Sequence, residues 1–431
     1  MPTFGHSHEW LAWLETLHPA VMELGLDRVG SVARRMGLAA KLPFPVISVA
    51  GTNGKGSTVA MLEAIYRAAG YRTGAYTSPH IYRFNERIRL DGGDIHEAAL
   101  LAALQRVEAA RDGVTLTWFE YTTLAAIAAM ITAEVEVGLL EVGLGGRLDA
   151  VNLFDADCAL LTTVDLDHQA WLGETREAIG REKAGIFRAD APAICAERDL
   201  PASVVEQARC SGAHLYRIGH DFDVVLPCGE GWLWQGRAGE RLELPLPALA
   251  GRFQLDNAAG AVAAVQALGG CLPVDHQALA AGMTRVHLPG RFQRLSERPE
   301  LVVDVAHNRQ SARALAEMLH QHPVNGRTWA VFAALADKEI EAVAASLGAA
   351  VDGWFVAGLS VPRGQGGAET AERLRHGLPA DARVEVAESV ALALQRARAV
   401  ASVDDRIVVF GSFHTLAAIE SETYNGKNEP G

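Results

Sequence analysis

The stretch PVISVAGTNGKGST, residues 45–58, decides the fold. Its β-branched first part, residues 45–50, predicts a buried strand, and residues 57–69 predict the helix that follows. The glycines between them allow a tight turn that presents backbone N–H groups, and the N-terminus of a helix adds partial positive charge. Lys55 stands where its side chain can reach the β- and γ-phosphates of a nucleotide. The motif departs from the strict phosphate-binding pattern, but its place between a strand and a helix predicts a phosphate loop.

The same alternation of apolar strands and alanine-rich helices continues along the chain and restarts after about residue 295. Alternating strands and helices favour parallel α/β sheets, so two such series predict two α/β domains. The segment from about 213 to 250 differs, because tryptophans, glycines and alternating polarity predict a β-rich insert at the end of the first domain. Further strands are expected at residues 137–142, 159–164, 301–305, 329–332, 353–356 and 406–410.

The composition of the 431-residue chain is that of an ordinary globular protein, with 49% hydrophobic and 21% charged residues. Its 39 Lys and Arg against 52 Asp and Glu give a net charge of −13, which argues against nucleic-acid or membrane binding by the whole surface. The apolar stretch at residues 121–133 is shorter than the about 20 residues that span a bilayer, so it predicts a buried helix. The N-terminus shows no signal-peptide pattern, and a cytoplasmic protein is expected.

Two polar side chains follow predicted strands of the first domain. Glu141 ends an apolar strand and is followed by three glycines, and His168 comes shortly after the next strand. Ligands bind at this edge of open α/β sheets, so a metal or substrate site is one interpretation. A strand-end carboxylate in water and a structural histidine are the alternatives. Lys183, taken by itself, predicts a surface lysine on a helix.

The second domain repeats this arrangement at the end of its first strand. Asp304, His307 and Asn308 crowd there and suggest a ligand site, although a polar turn capped by Asn308 or Ser311 explains them equally well. Residues 411–415 follow the last strand and could cap a final helix or bind a carboxylate through N–H groups.

At these positions the sequence resembles the bifunctional dihydrofolate synthase/folylpolyglutamate synthase family of the Mur ligase superfamily. The motifs occur in family order over nearly the whole chain, so the set is far more specific than any one of them. They are VAGTNGKGS (49–57), TSPH (77–80), NER (85–87), FEY (119–121), LEVGLGGRLDA (140–150), DH (167–168), WLG (171–173), EKAGI (182–186), LPGRFQ (288–293), DVAHN (304–308) and GSFH (411–414).

The resemblance implies a Mur-ligase-like P-loop ATPase domain with a parallel central sheet, followed by a smaller Rossmann-like C-terminal α/β domain. We expect the ATP-binding domain with its pterin or folate pocket at residues 1–290, a hinge at 291–299 and the glutamate-ligase domain at 300–431, with the active site in the cleft between the domains. The implied reaction joins L-glutamate to dihydropteroate, forming dihydrofolate, and to the γ-carboxylate of reduced folates. An acyl phosphate is the implied intermediate, and ADP and phosphate are released.

The resemblance also assigns residues. It implies two Mg²⁺ ions, one on Ser78 and Glu141 and one on Glu141 and His168. It further implies a carbamate on Lys183, which changes the interpretation of that lysine, because an ammonium would repel the metal. The implied catalytic residues are Lys55, Lys183, His168, Asp304 and His307. The implied ATP contacts are Thr52, Asn53, Gly54, Lys55, Gly56, Ser57, Asn257, Arg291 and Asp304. The implied pterin-pocket residues are Asp27, Arg28, Val29, Phe119 and Glu120. Leu148, Asp149 and Ala150 are further implied substrate contacts, and His307 and Ser412 are linked to glutamate.

Two other functions stay open. A cell-wall Mur ligase shares the loop and the cleft but must hold a UDP-linked substrate, which the elements at Arg28 and residues 119–121 argue against. A nucleotide-dependent switch would need no acyl acceptor, which residues 304–308 argue against. Small-molecule substrates, no nucleic acid, no membrane and a monomeric state are expected.

Overall fold

The computed structural model describes residues 4–19, 23–228 and 231–419. The chain separates into two compact units, one up to residue 248 together with 254–287, and the other of residues 249–253 together with the chain from 288 onward. Among the described residues, no helix is long and apolar enough to cross a membrane.

The first unit is built on an eight-stranded sheet in the order β4-β3-β2-β5-β1-β6-β7-β8. All neighbours from β2 to β8 are parallel, whereas β3 and β4 add an antiparallel edge. The strands are β1 (Val46–Ala50), β2 (Thr73–Tyr76), β3 (Ile88–Leu90), β4 (Gly93–Asp94), β5 (Val137–Glu141), β6 (Cys158–Leu161), β7 (Pro192–Cys195) and β8 (His214–Arg217).

A separate three-stranded antiparallel sheet follows the large sheet in sequence. This confirms the predicted β-rich insert, although residues 214–217 belong to the large sheet and the insert therefore begins later than predicted. Its strands are β9 (Phe222–Cys228), β10 (Gly231–Gly236) and β11 (Arg241–Pro245).

Helices cover the large sheet. β1 is buried on both faces, which explains its run of apolar residues, and the helix after it begins at Lys55, two residues earlier than predicted. The helices are α1 (Ser7–Leu17), α2 (Asp27–Arg35), α3 (Lys55–Ala68), α4 (Glu97–Arg111), α5 (Trp118–Thr132), α6 (Gln169–Leu172), α7 (Arg176–Lys183), α8 (Ala202–Ser211), α9 (Arg252–Ala267) and α10 (His276–Arg285). α5 confirms the predicted buried helix, since residues 120–130 are all buried.

The second unit has a six-stranded sheet in the order β12-β13-β17-β14-β15-β16, parallel except for β12. β12 lies inside the segment expected to act as a hinge and pairs with β13. The strands are β12 (Gln293–Glu297), β13 (Glu300–Val303), β14 (Thr328–Phe332), β15 (Gly353–Ala357), β16 (Val384–Ala387) and β17 (Arg406–Phe410). The helices are α11 (Arg309–Gln321), α12 (Ile340–Leu347), α13 (Gly367–His376), α14 (Val390–Val400) and α15 (Phe413–Ala417). The end of the predicted domain, residues 420–431, lies outside the described residues.

Candidate active site

The loop between β1 and α3 is tied to the end of the neighbouring strand β6. The backbone N–H of Thr52 donates to the Thr163 carbonyl at 2.8 Å, and the N–H of Asn53 donates to Thr163 Oγ1 at 2.9 Å. The Thr162 hydroxyl donates to the Asn53 carbonyl at 2.6 Å. These bonds fasten the loop to the chain that follows β6, and the two threonines that make them belong to no motif in the sequence analysis.

The β1–α3 loop concentrates hydrogen-bond donors and positive charge. Lys55 Nζ donates to the carbonyl of Gly51 at 2.9 Å and to that of Thr52 at 3.2 Å. The first N–H groups of α3 have no carbonyl partner within the helix, and the helix dipole adds partial positive charge at the same point. Gly54, with φ of +87°, makes the left-handed turn into the helix. An ammonium beside free N–H groups is an arrangement that binds phosphate.

Asn257 and Gln254, on the buried side of α9, contact this loop. Asn257 Nδ2 donates to Gln254 Oε1 at 3.0 Å, and Gln254 Nε2 donates to Ser57 Oγ at 3.2 Å. The resemblance named Asn257, but no signal singled out Gln254. Spacing of three on a helix places the two amides on one face, and only the fold shows that this face meets the loop.

The structure brings Ser78 and Glu141 together at the carboxyl ends of the neighbouring strands β2 and β5. The Ser78 N–H donates to Glu141 Oε2 at 3.1 Å, and the Glu141 side chain is buried. His168 follows β6 and has a left-handed backbone with φ of +51°. Its N–H donates to Asp167 Oδ1, which stabilises this conformation. Glu141 thus ends β5 and His168 follows β6, as the sequence predicted, whereas Ser78, which only the resemblance named, follows β2 of the same sheet.

Lys183 is the last residue of α7 and is only 4% exposed, so its interpretation from the residues alone as a surface lysine is wrong. Burial first, and repulsion from Lys55 second, lower the pKa of its amine to about 7. Attraction to Asp167 and Asp149 partly offsets both effects. Near neutral pH a large fraction of this amine is uncharged and nucleophilic.

Asp149 closes the glycine-rich loop that follows β5. Its carboxylate accepts from the N–H of Leu144 at 2.8 Å and from that of Val151 at 3.0 Å. Burial raises the pKa of this carboxyl to about 6, against those hydrogen bonds and the attraction of Lys55. Ala150 beside it is buried and Leu148 is half-buried. The two hydrogen bonds fasten the start of this loop to its end.

The residues predicted to form the pterin pocket come from α2 and α5. Arg28 Nη2 donates to Glu120 Oε1 at 3.1 Å and also pairs with Glu23. Phe119 packs its ring 5.8 Å from that of Tyr76. In α2, Asp27 is exposed and Val29 is buried, so Arg28 is the member that joins the two helices.

In the second unit, Asp304 organises the turn that carries Arg291. One carboxylate oxygen accepts from the N–H of Phe292 at 2.8 Å and the other from the N–H of Ala306 at 2.7 Å. Phe292 has φ of +43°, a costly conformation for an aromatic residue. The Arg291 guanidinium lies 5.4 Å from the ring centroid of Phe413. Burial raises the pKa of Asp304, whereas Arg291 lowers it.

The other polar residues of the second unit lie at helix starts. Asn308 caps α11 by accepting from the N–H of Ser311 at 2.9 Å, and Ser412 caps α15 by accepting from the N–H of His414 at 3.2 Å. His307 makes a hydrogen bond of 2.8 Å between Nδ1 and the Val305 carbonyl, which holds its ring. The capping interpretation of both segments is confirmed, and it does not conflict with ligand binding by the N–H groups.

Comparison with known proteins matches both units to one family. Residues 49–265 match the Mur ligase middle domain, and residues 290–413 match the Mur ligase glutamate ligase domain. The chain is 44% identical over 410 residues to the dihydrofolate synthase/folylpolyglutamate synthase of Escherichia coli (strain K12), covering 95% of this chain and 94% of that protein. The chain belongs to the dihydrofolate synthase/folylpolyglutamate synthase branch of the Mur ligase family.

Solved structures agree with this membership. A structure of E. coli FolC in complex with DHPP and ADP is similar with a TM-score of 0.91 at 42% identity, covering 98% of this chain and 99% of that one. A bifunctional folylpolyglutamate synthase/dihydrofolate synthase with Mn, AMPPNP and L-glutamate bound gives a TM-score of 0.89 at 41% identity, covering 97% and 98%. The shared fold is the one that the sequence predicted, namely a mostly parallel ATPase domain and a smaller α/β domain.

Proposed function

We infer that this chain is an ATP-dependent ligase that joins L-glutamate to dihydropteroate and to the γ-carboxylate of reduced folates. The observation that carries the inference is the match of both units, at 44% identity over nearly the whole chain, to a protein of that name. The geometry agrees with this function. The β1–α3 loop supplies N–H groups and the Lys55 ammonium for phosphate, Glu141 supplies a buried carboxylate, and Lys183 supplies a buried amine.

The chemistry explains why a phosphate loop is needed. A carboxylate acylates poorly, because an oxide would have to leave. The substrate carboxylate attacks the γ-phosphorus of ATP, which forms an acyl phosphate and releases ADP. The glutamate amine then attacks the acyl carbon, loses a proton and expels phosphate. Lys55 and the N–H groups of the β1–α3 loop offset the negative charge that these steps bring together.

The donor set fits Mg²⁺ held jointly with a nucleotide. Among residues 4–19, 23–228 and 231–419, no three His, Cys, Asp or Glu side chains form a metal cluster. Mg²⁺ takes few protein ligands and completes its shell with water and phosphate oxygens, so one carboxylate such as Glu141 suffices. We assign one Mg²⁺ to Ser78 and Glu141, and a second to Glu141 and His168. Bound Mg²⁺ neutralises phosphate charge.

Lys183 fits this assignment only as a carbamate. Its ammonium would repel a metal ion, whereas the carbamate supplies anionic oxygen. The uncharged amine reacts with CO₂, and a pKa of about 7 makes that form abundant near neutral pH. The buried position of Lys183 supports the carbamate, because a free surface lysine would stay protonated.

We assign the remaining roles by unit. In the first unit, residues 27–29, Phe119 and Glu120 bind the pterin, residues 148–150 contact the same substrate, and Asn257 contacts the nucleotide. In the second, Arg291 and Asp304 act on the nucleotide, and His307 and Ser412 act on the incoming glutamate. A monomeric state and a cytoplasmic location stay predictions from the sequence.

The test is to ask which acceptor triggers ADP release in the presence of ATP, Mg²⁺ and L-glutamate. Release with dihydropteroate and with tetrahydrofolate, together with a glutamylated product in the mass spectrum, is the expected result. Release only with a UDP-muramoyl substrate would make the chain a cell-wall ligase. Hydrolysis independent of any acceptor would make it a nucleotide switch.

A further inference from the structure

Gln254 is a fully buried amide that has no assigned role in the reaction. It lies on α9 among small and apolar neighbours, and the helix buries eleven residues in all. Burying an amide stabilises a fold only if its polar atoms are hydrogen-bonded, and an apolar residue of similar size would fill the same space without that demand. The partners of Gln254 are therefore the reason to look for a function.

Both ends of the Gln254 amide bond to residues that the resemblance assigns to the nucleotide. Its Nε2 donates to Ser57 Oγ at 3.2 Å, and its Oε1 accepts from Asn257 Nδ2 at 3.0 Å. All three side chains are at most 4% exposed. A continuous chain of hydrogen bonds thus runs from Asn257 through Gln254 to the start of α3.

The direction of these bonds leaves the Ser57 hydroxyl proton and Asn257 Oδ1 available for other contacts. Because Ser57 Oγ accepts from Gln254, its own proton stays available to donate to a phosphate oxygen. Because Asn257 uses an N–H on Gln254, its Oδ1 is turned to Gly54, only 2.6 Å from where a Cβ would stand. α9 therefore meets the β1–α3 loop at Gly54 and the first turn of α3 at Ser57, and Gln254 is hydrogen-bonded to the side chain that makes each contact.

We propose that Gln254 is a positioning residue for the nucleotide, which holds Ser57 and Asn257 in the orientations that bind it. The proposal rests on the proposed function in one respect, namely that the β1–α3 loop binds the nucleotide. Gln254 touches neither phosphate nor substrate in this account. Its effect passes entirely through its two partners.

The test is a calorimetric titration in which ADP and Mg²⁺ are added to the purified full-length protein. Gln254→Leu removes both hydrogen bonds at nearly constant volume, and we expect the Kd for ADP to rise about tenfold or more. The KM for ATP should rise in parallel while the Kd for dihydropteroate stays unchanged. Gln266→Leu is the matched control, since it makes the same substitution on an exposed position of the same helix and should change neither constant.

A double-mutant cycle separates positioning from mere packing. In a Ser57→Ala/Asn257→Ala background, Gln254→Leu has no partners left to orient, so its effect on the Kd for ADP should largely vanish. A packing role predicts the same loss in both backgrounds. If Gln254→Leu does not fold, the uncharged Gln254→Met replaces it in the cycle, because it has a similar volume and cannot donate to Ser57.

An unchanged Kd for ADP in folded Gln254→Leu, or equal effects in the two backgrounds, would overturn the proposal. The wild-type protein distinguishes this failure from failure of the proposed function. Suppose that the wild type binds ADP and also forms ADP from ATP when dihydropteroate and glutamate are present. An unaffected variant then refutes the role of Gln254 alone. If the wild type does not bind ADP, both the proposed function and the role of Gln254 are refuted.

Discussion

The contact between Gly54 and Asn257 makes a quantitative prediction about the β1–α3 loop. Gly54 and Gly70 lie at opposite ends of α3 and have similar left-handed backbones, with φ of +87° and +91°. An alanine at either position would have to adopt the left-handed conformation, which costs about 1–2 kcal/mol of unfolding free energy. A Cβ on Gly70 would meet nothing within 4 Å, so this backbone effect is its whole cost.

A Cβ on Gly54 would lie 2.6 Å from Asn257 Oδ1 and 3.1 Å from its Nδ2. Ordinary contact begins at 3.4 Å, so the amide must move by 3.4 − 2.6 = 0.8 Å. That shift disrupts the 3.0 Å hydrogen bond from Asn257 to Gln254. Overpacking and a lost buried hydrogen bond together add about 1–3 kcal/mol. We therefore expect Gly54→Ala to cost about 2–5 kcal/mol of unfolding free energy and Gly70→Ala about 1–2 kcal/mol.

Urea unfolding followed by circular dichroism measures both losses, and ADP titration measures the functional one. Gly54→Ala should weaken ADP binding about tenfold, because Asn257 is displaced, while Gly70→Ala leaves the affinity unchanged. Adding Asn257→Ala to Gly54→Ala removes the crowding, so the stability losses of the two changes should not add. Equal stability losses for the two glycine variants, with normal ADP affinity in both, would refute this account of the loop.

Three further predictions concern charged groups of the site. Lys55→Ala should abolish ADP formation while the unfolding midpoint stays near that of the wild type. The lysine ammonium hydrogen-bonds to two partly exposed carbonyls of its own loop, so its loss costs little stability. Near-normal turnover would exclude the phosphate role. Removing CO₂ should inactivate the enzyme, and adding it back should restore activity. At fixed dissolved CO₂ the recovery should become faster as the pH rises through about 7, because only the uncharged Lys183 amine reacts. A free amine in the mass spectrum of active, metal-bound enzyme would contradict this. Asp304→Asn should lower stability by about 1–3 kcal/mol and raise the KM for ATP, because an amide can accept from Phe292 or Ala306 but not from both; unfolding curves and initial rates check it.

The sequence predicted the central elements better than the edges. Residues 406–410 were predicted as a strand and form one, and the strands at 137–141 and 353–357 differ from prediction by one residue at one end. Long buried parallel strands carry a strong apolar signal. β4, by contrast, has only two exposed residues and is defined by its pairing with β3, which local pattern does not reveal.

The site shows the same division. The loop at residues 51–57 was predictable because strand, glycines, lysine and helix are contiguous. Thr162, Thr163 and Gln254 were not, because each acts on that loop from more than 100 residues away in sequence. Nor does composition distinguish Lys183 from a surface lysine, since its lowered pKa arises from burial and from the charges that the fold brings around it.

The charges around Lys183 also bear on the proposed carbamate and the proposed Mg²⁺ ions, which would balance each other's charge in this acidic protein. With a free ammonium, Lys183 and Lys55 are two cations whose charges act on the buried carboxyl of Asp149. Carbamylation replaces one positive charge by one negative charge, a change of two units at a position shielded from water, where charges interact strongly. The site so altered would repel a nucleotide unless cations were present, so the proposed Mg²⁺ ions and the proposed carbamate would stabilise each other. A chain with a net charge of −13 would then bind anionic substrates through Lys55 and the metal ions, and binding would need CO₂ and metal together.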